Sequence, residues 1–89
     1  MSNEQPFTVQ VGENDTVRQA LITPVGWWSE TITVNQFSRF KGDQRGFFDP
    51  PTIHWGSGGR DGKVDDRTAT LNFQAALTEA VRIYDEWSS

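Results

Sequence analysis

Asn72-Phe-Gln-Ala-Ala-Leu-Thr-Glu-Ala-Val-Arg-Ile-Tyr-Asp-Glu-Trp87 is the stretch on which the fold turns. Phe73, Leu77, Ala80, Tyr84 and Trp87 recur at intervals of four, three, four and three, drawing one apolar stripe along a helix that Ala76, Val81 and Ile83 widen. A stripe of that width has to be covered. Asn72 is placed to cap the helix, its side-chain oxygen accepting an orphan backbone N–H, and Leu71 just outside it is placed as a hydrophobic staple. The spacing predicts a C-terminal helix over 72–87.

What it packs against is written upstream in period two. Phe7, Val9 and Val11 alternate with polar residues, as do Trp28, Ile32 and Val34 with Thr31, Thr33 and Asn35. Both read as half-buried strands, the second (28–37) as a central one because Thr, Ile and Val favour pleated structure. Thr52–Trp55 reads as a short strand with Ile53 and Trp55 inward, and 64–71 as a final strand. Residues 15–22 read two ways. Asp15 or Asn14 suits the cap of a short helix with Val17, Ala20 and Leu21 on one face, and the same stretch also reads as extended. From Ser38 to Pro51 the periodicity dissolves into glycines, prolines and charges, the pattern of a long loop. The expectation is an α+β fold: a single domain over 1–89 with a flexible stretch at 1–6, and a three- to five-stranded, mostly antiparallel sheet covered on one face by the helix.

The chain has 89 residues and no Cys, so neither a disulfide nor a thiolate metal site contributes, and burial of the eleven aromatics is the expected stabiliser. No apolar run reaches the ~18 residues of a membrane span, and the first six residues do not form a signal sequence. The expected setting is cytoplasmic, in a bacterial or phage-infected host cell, with no membrane partner. Formal charge is −4 but unevenly placed. Residues 39–63 carry Arg39, Lys41, Arg45, Arg60 and Lys63 against Asp43, Asp49 and Asp61, a net +2 between flanks of −3 each.

Catalytic and cofactor motifs fail on spacing. The run Gly56-Ser-Gly-Gly-Arg-Asp-Gly-Lys63 has Ser57 where a P-loop needs its first Gly and Val64 where it needs Ser or Thr, and the dinucleotide fingerprint meets Asp61 in place of its third Gly. A plain flexible turn is the expectation there. Asp61, Asp65 and Asp66 lack the glycine and twelfth-position acid of a calcium loop, and one His without Cys does not supply a zinc site. His54, the single histidine, points away from Ile53 and Trp55 on the alternating strand. No metal or cofactor is expected.

What survives is the basic, aromatic middle: Phe37, Arg39, Phe40, Lys41, Arg45, Phe47, Phe48, Trp55, Arg60 and Lys63. Aromatic and Arg side chains dominate interface energetics, so a small protein-binding or inhibitory module is expected, with Phe47, Phe48 and the neighbouring cations as anchors. In type it is similar to phage-encoded antagonists of nucleic-acid-handling complexes, anti-CRISPR proteins among them, though no motif of such a family is present. The alternative is binding of single-stranded nucleic acid along 37–63, cations tracking phosphates while rings stack on bases. Arg45-Gly46-Phe47 begins like the RNP1 motif and departs at Phe48 and Asp49. A second alternative is a minimal hydrolase using His54.

Overall fold

A computed structural model describes residues 5–26, 31–56 and 67–88. Among the described residues, six strands and one helix follow in chain order: β1 Phe7–Glu13, β2 Val17–Pro24, β3 Ile32–Phe37, β4 Arg39–Lys41, β5 Gln44–Gly46, β6 Thr52–Trp55 and α1 Arg67–Trp87. Strands β1, β2, β3 and β6 form one antiparallel sheet in that order, and β4 and β5 form a separate hairpin inserted between β3 and β6. The fold is α+β, with α1 packed chiefly across β2 and β3.

Register sets the core. Ala20 faces Val34, Ile22 faces Ile32 and Val34 faces Ile53, so these side chains project from the same side of the sheet. Ala20, Ile22, Ile32 and Val34 form the buried cluster with Ala76, Ala80 and Ile83 from α1, edged by the partly buried Phe7, Ile53, Phe73, Leu77 and Trp87. The seating is close because Ala20, Ala76 and Ala80 put only methyl groups between helix and sheet. The other side of the sheet carries Thr8, Gln10, Gln19, Leu21, Thr23, Thr33, Asn35, Thr52 and His54, of which His54 alone is titratable.

Residues 17–24 are strand. Asn14 keeps the chemistry that suited it to a helix cap: its Oδ1 accepts from the N–H groups of Thr16 (2.8 Å) and Val17 (3.0 Å), but in a turn between β1 and β2. Strands on both sides of β2 decide against the helix, since pairing with β1 and β3 satisfies its backbone and seals Ala20 and Ile22.

Other expectations are corrected. The helix begins at Arg67, not Asn72, and residues 67–71 of the expected last strand belong to it. The extra turn has a tertiary cause, because Ala69 is buried against Gly26, where an added Cβ would lie 3.4 Å from the Ala69 Cβ. Asn72 therefore sits within the helix and donates from Nδ2 to the Val25 carbonyl at 3.0 Å, while Leu71 is exposed on the helix surface. Strand β3 starts at Ile32, with Trp28 outside the described residues. β1 alternates as expected, yet Val9 and Val11 stay 39% and 65% exposed, since of its helix-side residues only Phe7 joins the cluster under α1. Residues 38–51 are not a plain loop but contain the β4–β5 hairpin. The glycine turn 56–62 lies outside the described residues beyond Gly56, as do Asp61, Val64, Asp65 and Asp66.

Candidate functional site: a basic aromatic arm

Lys41-Gly42-Asp43-Gln44 reverses the chain with a two-residue connection, and Gly42 sits at φ +65°, a left-handed conformation that suits glycine. Arg39 then faces Gly46, Phe40 faces Arg45 and Lys41 faces Gln44. Neither β4 nor β5 packs against another strand or against α1, so the hairpin is an arm projecting from the sheet.

Its cations lie on its rings. The Lys41 ammonium is 5.7 Å from the centre of the Phe48 ring, and the Arg45 guanidinium is 5.1 Å from that of Phe40. Arg45 Nε also donates to Ser38 Oγ at 3.1 Å, and Arg39 Nε pairs with Asp49 Oδ1 at 2.8 Å across the base of the arm. Both members of that ion pair are about half exposed, which limits it to roughly 0.2–1 kcal/mol. Phe48 packs over Gly46, where a Cβ would come within 3.1 Å of its Cζ, so the absence of a side chain there seats the ring. Phe40 is 62% exposed and Phe48 41%.

The arm is anchored through residues that sequence reasoning missed. Gln36 is buried on the helix side of β3, and its Oε1 accepts from Arg18 Nε at 2.6 Å. Its Nε2 donates to the carbonyls of Asp49 (2.6 Å) and Trp87 (3.3 Å), and Arg18 Nη2 also reaches the Trp87 carbonyl at 3.4 Å. The Arg18 guanidinium lies 4.7 Å from the Phe47 ring centre and 4.8 Å from that of Trp87. A cation at the C-terminal end of α1 complements the helix dipole. One network thus joins β2, β3, the last turn of α1 and the chain leaving the arm. A signal for it stood in the sequence: at period two, Ile32 and Val34 are followed by Gln36, and Arg18 precedes Ala20 and Ile22, polar residues in core-facing slots. Ser38 ties the arm from the other side, its Oγ donating to the Asp15 carbonyl and its N–H to that of Thr16 at 2.7 Å.

The structure therefore divides the expected set. Arg39, Lys41 and Phe48 come together on one face of the arm, and Arg45 with Phe40 on the other. Phe47 is half-buried against Arg18 and belongs to the anchor rather than to the free surface. Trp55, 55% exposed, pairs with Ile32 at the end of β3 opposite the arm, about 17 Å along the strand, so it is not part of the same surface. Phe37 is exposed on the open side of the sheet, and Arg60 and Lys63 lie outside the described residues. His54 is on the open side, 2.9 Å from the Thr52 hydroxyl, with no carboxylate set to orient it among the described residues. Among those residues no group of three or more His, Asp or Glu is placed to hold a metal ion, and no helix is long and apolar enough to cross a membrane.

A cleft of about 340 Å³ opens beside the arm's base between Gln36, Phe47, Phe48, Pro50 and Trp87. Asp49 and Ser88 complete its lining, and the Asp49 carboxylate, the one ionisable group there, is paired with Arg39 rather than with a base of the kind that bond cleavage calls for. Comparison of the chain with protein-family models, with curated proteins and with solved structures finds no match to any of them.

Proposed function

We propose that this protein is a protein-binding module whose contact surface is the β4–β5 arm. The observation that supports this most is the seating of Lys41 on Phe48 and of Arg45 on Phe40. Each ring already carries a cation from its own chain over a face, which takes that face out of use for stacking on a nucleic-acid base. The same arrangement holds long cations in one geometry before any partner arrives, which lowers the ordering cost of association. The chemistry it fits is a partner that clasps the arm, with apolar ground for Phe40 on one face and for Phe48 on the other, each rimmed by carboxylates. The antagonist reading is the form this proposal takes where the captured partner belongs to a nucleic-acid-handling complex.

The test is affinity capture with the wild-type chain against Phe40→Ala, Phe48→Ala and a Lys41→Glu, Arg45→Glu double variant. Interface anchors of this kind contribute about 2 kcal/mol or more, so each substitution is expected to weaken binding on the order of thirtyfold. Partner recovery unchanged in all three variants would exclude the arm. Tryptophan emission titrated with single-stranded oligonucleotides at low and moderate salt separates the nucleic-acid reading. Salt-sensitive quenching, abolished by Lys41→Glu and Arg45→Glu, would replace the present proposal.

A further inference from the structure

The first strand of the sheet is an edge that no other strand among the described residues covers. Its seven residues, Phe7 to Glu13, pair with β2 in unbroken register, with no bulge, no proline and one charge, Glu13, at the far end. Natural edges of this length carry a guard of some kind, because a row of unpaired N–H and C=O groups is a template for another strand. The opposite edge does: β6 has four residues and follows Pro50 and Pro51.

Which groups of β1 are free follows from the hydrogen bonds at its two ends. Asn14 N–H donates to the Val17 carbonyl and Val25 N–H to the Pro6 carbonyl. In an antiparallel pair, bonded and non-bonded positions alternate, so the even residues 6 to 14 bond to β2 and the odd ones direct their N–H and C=O groups outward. Those are Phe7, Val9, Val11 and Glu13, the same four whose side chains lie on the helix side of the sheet.

We infer that β1 pairs antiparallel with β1 of a second copy of this chain about a two-fold axis through Gln10. That register uses every outward-facing residue. Val9 pairs with Val11 of the second copy, Val11 with its Val9, Phe7 with its Glu13 and Glu13 with its Phe7. The exposed valines thereby meet each other on the helix side, outside the cluster that α1 buries. The charges agree with it: the two Glu13 carboxylates lie at opposite ends of the new pair, ~20 Å apart and beyond the screening length at physiological salt. The product is one eight-stranded sheet with both helices on the same side. A contact confined to one strand edge and two valine pairs is smaller than the ~800 Å² per partner of a standard interface, so dissociation in the micromolar range or weaker is expected. The inference does not depend on the arm.

The test exploits the absence of cysteine. Across a non-hydrogen-bonded antiparallel pair the facing Cα atoms are ~4.5 Å apart, within disulfide reach, so in the Gln10→Cys full-length chain the two thiols of a dimer face each other. In Thr8→Cys, on the same face, the thiols of the two copies are four residues out of register, ~14 Å apart. Under mild oxidation Gln10→Cys is expected to form the disulfide dimer at least about tenfold faster than Thr8→Cys, a gap that Val11→Lys in the same chain closes by placing a charge on the edge. Sedimentation over roughly 10 μM to 1 mM is expected to show monomer and dimer for the wild type, and monomer for Val11→Lys with unchanged helical circular dichroism. Equal oxidation of the two cysteine variants, a wild-type monomer throughout that range, or species growing beyond the dimer through head-to-tail pairing of unlike edges would each overturn the inference.

Discussion

Arg18 and Gln36 form a hydrogen-bonded pair, Nε to Oε1 at 2.6 Å, in the two slots where the core-facing rows of β2 and β3 would otherwise continue Ala20, Ile22, Ile32 and Val34. Replacing Gln36 by Leu keeps the volume and strips the Asp49 carbonyl of its donor and Arg18 of its acceptor. Leaving buried polar groups unpaired costs about 1–3 kcal/mol, which urea unfolding followed by tryptophan emission would register. Arg18→Met with Gln36→Leu is expected to cost less than the two single changes added together, because the polar partners then leave as a unit. Additive losses would mean that the pair does not act as one network.

The helix sits close to the sheet because small residues face each other there. Ala76 and Ala80 are fully buried, so Ala80→Leu has to displace strand or helix and is expected to destabilise by about 1–3 kcal/mol. Val81→Leu, one position away on a half-exposed site, is expected to stay within about 0.5 kcal/mol. Thermal unfolding of the two variants side by side checks the contrast.

The arm's shape depends on two glycines for different reasons. Nothing lies within 4 Å of a Cβ placed on Gly42, so Gly42→Val acts through the left-handed backbone alone, at about 1–2 kcal/mol, and Gly42→Asn is expected to be better tolerated. Because the arm packs on no other element, the penalty should appear as faster amide exchange within 39–46 while the amides of β2 and β3 stay protected. At Gly46, by contrast, an added methyl meets the Phe48 ring. Gly46→Ala should shift that ring and weaken partner capture without lowering the unfolding midpoint.

On the outer surface of α1, Arg82 donates to both Glu79 oxygens at 2.8 Å and to Glu86 at 3.0 Å. Hydrogen bonding from Arg82 holds the Glu79 carboxyl below its ordinary value, against a smaller opposing effect of desolvation. A carboxylate whose pKa is lower folded than unfolded contributes stability above its unfolded value, and that contribution fades as pH falls through the folded one. Arg82→Ala should therefore lower the unfolding temperature slightly at neutral pH and leave it unchanged in strong acid. A deficit that persists after Glu79 is protonated would assign the effect to packing of the Arg82 stem.

The rows that make the core were legible in the sequence wherever apolar residues alternate, as in Ile32 and Val34, or recur along the helix, as from Phe73 to Trp87. The hairpin was not. Its strands bury no face, so they carry no hydrophobic period to read, although the two-residue Gly42-Asp43 connection was a turn signal of the ordinary kind. The basic and aromatic composition of the candidate surface was likewise visible, but its membership was not, since composition places Phe47, Phe48 and Trp55 on equal terms.

Local chemistry alone determined the α+β class, the alternation of the strands and the concentration of positive charge in the middle of the chain. Side-chain period and charge are properties of neighbours in sequence, and they survive any packing. The tertiary structure alone decided that 17–24 is strand, that the helix begins a turn early on Gly26, that Phe47 turns inward to Arg18 while Phe48 stays with Lys41, and that Trp55 ends up at the far end of the sheet. Each of those outcomes is a contact between residues distant in sequence, and no local preference specifies which distant group will be there to receive it.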